Sequence, residues 1–167
     1  MDDNYAWQKA LEAADQIFSQ LDPVQKVDLE KLFKRIMRLK EELLIAPLAA
    51  GSDVICTACN GACCLHGKYH LTMIDLLALH FSDCEIVTPE FGFQTYCPYS
   101  SSAGCNMPPQ FRPLTCVIFN CELIEGLLTD SCRELDRLTE KQLRKTIAEV
   151  ENLVGSPLGR PALLFTN

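Results

Sequence analysis

The sequence predicts a mainly α fold, with an N-terminal helical hairpin and C-terminal helices around an irregular, loop-rich cysteine centre. Three observations carry that expectation. Apolar residues recur at helical spacing before residue 50 and again after residue 139. Proline, serine and glycine crowd the stretch between Ser82 and Pro113. All ten cysteines fall between Cys56 and Cys132, and four of them (Cys56, Cys59, Cys63 and Cys64) sit in the nine residues CTACNGACC. A core has no use for thiols that close in sequence, because a buried free cysteine acts as one small apolar residue among others.

The elements follow in order. Residues 4–21 place Trp7, Ala10, Leu11, Ala14, Ile17, Phe18 and Leu21 on one stripe, the i, i+3, i+4, i+7 pattern of an amphipathic helix. Asp22-Pro23 then offers an N-cap acid and a proline at the first helical position. The second helix runs to about Leu44, with Val24, Val27, Leu32, Ile36, Leu39 and Leu43 on its apolar face, and Pro47 ends it. A turn this short makes the two an antiparallel hairpin. It serves as a prop for the rest, with a dimerisation arm as the alternative.

Residues 46–71 read as irregular. Thr72 with Asp75 makes a capping-box start for a short helix over residues 73–81, with Ile74, Leu77 and Ala78 inward. About thirty residues of loop follow, which is unusual in a compact domain unless something fixes it; cysteines on a metal would do so. A helix is expected near Val117. Thr139 with Gln142 signals another, carried by Leu143, Ile147, Val150 and Val154 and stopped by Gly155, and the tail after it reads as extended. The resulting division is residues 1–50 as helical hairpin, 51–132 as cysteine core, and 133–167 as C-terminal helix and tail, all in one unit.

Composition excludes several classes. An apolar fraction of 48% suffices for a core, yet no apolar run approaches the ~20 residues of a membrane span. Between residues 51 and 132 only Lys68 and Arg112 are basic, against eight Asp and Glu, within a net charge of −7. Nucleic acid and anionic membrane surfaces demand a basic stripe, so neither is an expected partner. The opening MDDNYAWQKA has no basic and apolar signal pattern, which points to a cytoplasmic protein. That setting favours metal ligation over disulfides. Adjacent Cys63 and Cys64 could scarcely pair with each other. A redox dithiol is the third choice.

Eight cysteines form an ordered pattern: CTACNGACC, CPYSSSAGC, RPLTC and VIFNC, with LTMID after the first cluster. Over residues 53–123 this resembles the YkgJ-like cysteine-cluster family, whose CxxCxxCC domain is described as zinc- or iron-chelating; flagellin lysine-N-methylases carry a similar core. The resemblance implies Cys56, Cys59, Cys63, Cys64, Cys97, Cys105, Cys116 and Cys121 as metal ligands. Leu71, Thr72 and Asp75 match the family's LTxxD, and Arg112-Pro113 its RP. The chain departs from the pattern in having three residues between Cys59 and Cys63, where Gly61 could supply the turn. It is also about one residue longer between Cys105 and Arg112, without the usual tyrosine.

Eight thiolates suit two tetrahedral Cys₄ zincs, or an iron–sulfur cluster with a further ion. All-sulfur ligation argues against Mg²⁺ and Ca²⁺. Cys63 and Cys64, being adjacent, point differently and serve different metals. His66 and Arg112 are candidates to support the ligands from behind. His70 and His80 are read as surface or helix histidines, Cys84 and Cys132 as buried small residues, and Asp75 as a helix-start acid. The expected function is metal binding. The alternatives are an iron–sulfur-dependent enzyme performing protein methyl transfer or a redox step, and a thiol redox sensor.

Overall fold

Asp2 starts the first helix, α1 (Asp3–Gln20), by accepting the Asn4 N–H on its carboxylate at 3.1 Å. Asp22 starts the second, α2 (Pro23–Ala49), more firmly: its Oδ1 takes the N–H groups of Val24 and Gln25 at 2.8 Å each. The Gln25 side chain in turn accepts the Asp22 N–H, closing a capping box. In this computed structural model, residues 2–59, 62–64, 66–82, 84–92, 97–101 and 104–165 are described.

Pro47 does not end α2. The helix passes through it and continues to Ala49, and the Ala50 N–H still reaches the Ala46 carbonyl at 3.0 Å. The proline forfeits one backbone bond, but it lies buried on the face turned toward the core, together with Leu43 and Leu44. That face differs from the expected one at its start. Val24 and Val27 are exposed, and the buried stripe is Leu29, Phe33, Ile36, Leu39 and Leu43, with Lys40 buried among them.

The chain is mainly helical. After α2 come α3 (Ser52–Ala58), α4 (Met73–Leu79), α5 (Leu114–Ile118), α6 (Glu122–Glu125) and α7 (Asp130–Val154). A two-residue antiparallel pair, β1 (Ser100–Ser101) and β2 (Gly104–Cys105), stands inside the loop-rich stretch.

The longest helix contact joins α2 to α7. Gln25 Nε2 at the start of α2 donates to the Leu153 carbonyl at the end of α7, so the two run antiparallel. α1 rests instead on α4 and on a 3-10 turn at Ala162–Leu164. The Phe81 ring fills the space between the first two helices, edge-on to Phe18 and stacked on Phe33. The arms of the N-terminal hairpin therefore bury their apolar faces chiefly against later elements. Each fully buried Leu, Ile or Phe stabilises by roughly 1.5–3 kcal/mol, and the contiguous cluster from Trp7 through Leu163 ties both ends of the chain together.

Helix α7 starts ten residues before the expected Thr139. Thr129 is its N-cap, its hydroxyl accepting the Cys132 N–H at 3.3 Å, while Thr139 lies buried in the helix interior. The far end agrees with expectation: Leu143 and Val150 are buried, Ile147 and Val154 pack beside them, and Gly155 closes the helix at φ 75°. The tail is less extended than expected. It forms the 3-10 turn at Ala162–Leu164, and Ala162 N–H donates to the Leu71 carbonyl at 2.7 Å, tying it to the start of α4.

Helix α4 begins at Thr72 as expected, its N–H and hydroxyl both donating to Asp75 Oδ2. Asp75 does more than start the helix. Its Oδ1 accepts from Lys40 Nζ at 2.6 Å, and both side chains are almost wholly buried, 1% and 3% exposed. Among the described residues no helix is long and apolar enough to cross a membrane.

Candidate functional site

The cysteine centre is assembled from four segments. The first is α3, which grows from the end of α2 after Gly51 adopts φ 82°, a conformation that suits glycine. Cys56 is therefore on a helix, where an irregular segment was expected. Cys59 caps that helix, its Sγ donating to the Cys56 carbonyl at 3.4 Å. Asn60 and Gly61, the expected turn, lie outside the described residues. The second segment is a 3-10 turn, Ala62–Cys64, which carries the adjacent pair.

The third segment is Cys97 to Cys105. The Cys97 carbonyl accepts both the N–H (3.1 Å) and the hydroxyl (2.7 Å) of Ser100, which folds the chain into the β1–β2 pair. Gly104, in that pair, takes φ 107°, a conformation that suits glycine. The fourth segment is the run Pro113 to Cys121. Cys116 sits in α5 with its N–H on the Pro113 carbonyl, and Cys121 is the N-cap of α6.

Gly67 is where these segments meet most closely. A Cβ at that position would lie 2.5 Å from Cys97 Sγ and 2.6 Å from its Cβ. Only a residue without a side chain lets the turn Gly67–Tyr69 reach Cys97. Gly67→Ala is expected to lower thermal stability by roughly 1–3 kcal/mol through overpacking. Gly159→Ala, whose Cβ would meet only Glu151 Oε1 at 3.5 Å, should stay within about 0.5 kcal/mol. Equal melting temperatures for the two variants would contradict the close approach.

Four of the eight family-pattern thiols, Cys56, Cys64, Cys97 and Cys116, are shifted by burial and by the thiols around them. Burial pushes Cys64 up to about 12, aided by the thiols of Cys63, Cys97 and Cys105. Burial also raises Cys116, and the groups that reinforce it are Cys97, Cys105, Cys64 and Asp75. Cys97 is raised by burial and by Cys105, while the Tyr99 N–H at its sulfur pulls the other way. Cys56 is raised by burial and then by a different set, Cys63, Cys59 and Cys121, against the opposing charge of Arg112. One neighbourhood is thus Cys56, Cys59, Cys63 and Cys121. The other is Cys64, Cys97, Cys105 and Cys116. Cys63 stands between the two, acting on Cys56 and also hydrogen-bonded to Cys64.

All ten cysteines are free thiols. Among the described residues, no group of three or more His, Cys, Asp or Glu side chains stands ready to hold a metal ion. The thiols are neighbours without converging on a point. Cys84 and Cys132 belong to neither neighbourhood: Cys84 is exposed, contrary to the buried role expected, and Cys132 is half-buried near the start of α7.

The Arg112 charge acts weakly on Cys56, and its Nε donates to the Met107 carbonyl at 3.2 Å. His66 is exposed. His80 stacks on Phe18 and stands 3.2 Å from Asp15. His70, read from the sequence as a surface or helix residue, is half-buried with Nδ1 3.4 Å from Cys116 Sγ. Nothing in its local spacing signals this, because Cys116 is distant in sequence.

A cleft of about 160 Å³ lies behind the Cys116–Cys121 segment, between α2, α5, α6 and α7, lined by Asn120, Arg133, Asp136 and Glu140 among others. Comparison with family models, with curated proteins and with solved structures returned no match.

Proposed function

We propose that this protein binds metal through two four-sulfur sites. Cys56, Cys59, Cys63 and Cys121 form the first, and Cys64, Cys97, Cys105 and Cys116 the second. Zinc or an iron–sulfur cluster would occupy them. The observation that carries the reading is that Cys116 has Cys64, Cys97 and Cys105 as its thiol neighbours while Cys56 has Cys59, Cys63 and Cys121, with Cys63 also reaching Cys64. Four is the number that tetrahedral zinc or a [4Fe–4S] cluster takes.

The donor chemistry fits. Cys56, Cys64, Cys97 and Cys116 carry raised pKa values through burial and neighbouring thiols, and a coordinated cation reverses both effects by deprotonating a thiol outright. Drawing four sulfurs to within about 2.3 Å of one point needs the cation that offsets their charge. When bound, zinc would supply a structural crosslink between four chain segments, and an iron–sulfur cluster would add electron transfer. The resemblance to the YkgJ-like family points the same way. Nucleic acid is left out as a ligand, because two loaded sites would add about four negative charges to an acidic centre.

Protein purified without oxygen should carry either about two zincs per chain and no colour, or iron and sulfide with a brown colour. Cys63→Ser and Cys64→Ser should each lose one site, and the double variant both. Cys84→Ala and Cys132→Ala should keep full occupancy. Metal-free protein with oxidised thiols would overturn the reading in favour of a redox sensor. A double variant that keeps one full site would overturn the division between Cys63 and Cys64.

A further inference from the structure

His70 has no part in the eight-sulfur assignment, yet its position is built with care. The turn Gly67–Tyr69 ends on it, and its N–H donates to the Gly67 carbonyl at 3.1 Å. That glycine is the one pressed against Cys97. On its other side, the Leu71 carbonyl is held by Ala162 N–H at 2.7 Å. The main chain on both sides of His70 is thus held, and its half-buried imidazole stands with Nδ1 3.4 Å from Cys116 Sγ.

We propose that His70 is the hydrogen-bond donor to the Cys116 sulfur in the metal-loaded protein, a positioning residue of the second site and not one of its ligands. The proposal rests on the two-site reading. A metal-bound thiolate carries no proton, so a bond to Nδ1 persists only if the ring holds its own proton there. In the metal-free protein the Cys116 thiol can itself donate to Nδ1. Metal binding therefore fixes the Nδ1–H tautomer. The nitrogen faces the sulfur, and four sulfurs already complete a tetrahedral shell.

The charge balance explains the need for such a donor. A loaded second site sets four thiolates against one ion, with the Asp75 carboxylate among the groups acting on Cys116. The first site has the Arg112 charge acting weakly on Cys56. The second has N–H donors instead: the Tyr99 backbone at Cys97 and His70 at Cys116. Hydrogen bonds to ligand sulfurs draw charge off them, and their removal typically weakens metal affinity 10–100-fold.

The test compares cadmium-loaded wild type, His70→Ala and His70→Asn by chelator competition and by nitrogen and cadmium magnetic resonance. Asparagine places an amide N–H near the position of Nδ1. Wild type should hold two cadmium ions with Nδ1 protonated. His70→Ala should bind one of the two about 10–100-fold more weakly, and His70→Asn should recover most of that loss. Unchanged retention in His70→Ala would overturn the proposal, as would an asparagine variant no better than alanine. A cadmium–nitrogen coupling in wild type would overturn it too, since the imidazole would then be a ligand. Wild type that takes up no cadmium would instead bring down the two-site reading beneath it.

Discussion

Stripping the metal from loaded protein is expected to unfold the first cysteine segments, residues 52–59 and 62–64, locally while the α2–α7 pair keeps its protection. The expectation follows from where the apolar contacts lie. Leu29, Phe33, Ile36, Leu39, Leu143 and Val150 are buried in the helical frame, and that frame holds without sulfur. The first cysteine segments have little of this kind: Cys63 is exposed, Cys56, Cys59 and Cys64 are only partly covered, and α3 has no buried residue, whereas Tyr99, Met107, Phe111 and Val117 in the later segments belong to the core. A structural zinc site contributes about 10–16 kcal/mol of binding free energy, as much as the whole stability of an ordinary domain at roughly 5–15 kcal/mol. Hydrogen exchange should therefore accelerate by orders of magnitude at residues 52–59 and 62–64 on chelation, and change little along Leu29–Leu44 and Leu143–Val150. Equal protection of the centre before and after chelation would show that the loops order themselves and that the sulfurs are not what holds them.

The sequence made some of this architecture legible and hid the rest for identifiable reasons. Helix starts with local chemistry were readable: Asp22-Pro23 with Gln25, and Thr72 with Asp75, act through bonds spanning two or three residues. The stop at Gly155 was readable for the same reason. Pro47 misled because its local penalty is offset by burial against distant residues. The start of α7 was hidden because Thr139 and Gln142 mimic a cap inside a helix that Thr129 had already opened. At the site, the spacing of eight cysteines pointed to a common centre, and the structure sets Cys64, Cys97 and Cys105 near Cys116 and Cys59, Cys63 and Cys121 near Cys56. Which thiol neighbours which depends on how α3, the β pair and α5 dock, and no local pattern encodes that. The contact of His70 with Cys116 is of the same kind.

Lys40→Met is expected to destabilise the folded protein by about 3–5 kcal/mol, because it leaves the Asp75 carboxylate buried without its counter-charge. The stripe on α2 gives no warning of this, since Lys40 lies next to Leu39 in a helix otherwise rich in solvated charge such as Lys34, paired with Glu30 on the surface. The surface pairs are worth little, about 0–1 kcal/mol. The Lys40–Asp75 pair differs in being excluded from water, at 2.6 Å and 1% and 3% exposure. For a chain of this size each 1 kcal/mol moves the melting temperature by roughly 2–4 °C, so the shift should be on the order of 10 °C. Adding Asp75→Asn to Lys40→Met removes the stranded charge and should recover part of the loss, though the amide answers the Thr72 N–H and hydroxyl less well than the carboxylate does. That distinction matters for the site. Asp75 fixes Thr72, Thr72 follows Leu71, and Leu71 adjoins His70, so slackness at the ion pair should reach the Cys116 contact. Metal retention at the second site should therefore fall in Lys40→Met along with stability, whereas disrupting the surface pair through Lys34→Met should alter neither. A Lys40→Met protein melting within about 1 kcal/mol of wild type would mean that the pair is dispensable, and that the start of α4 is held by Thr72 and the apolar contacts of Met73–Ala78 alone.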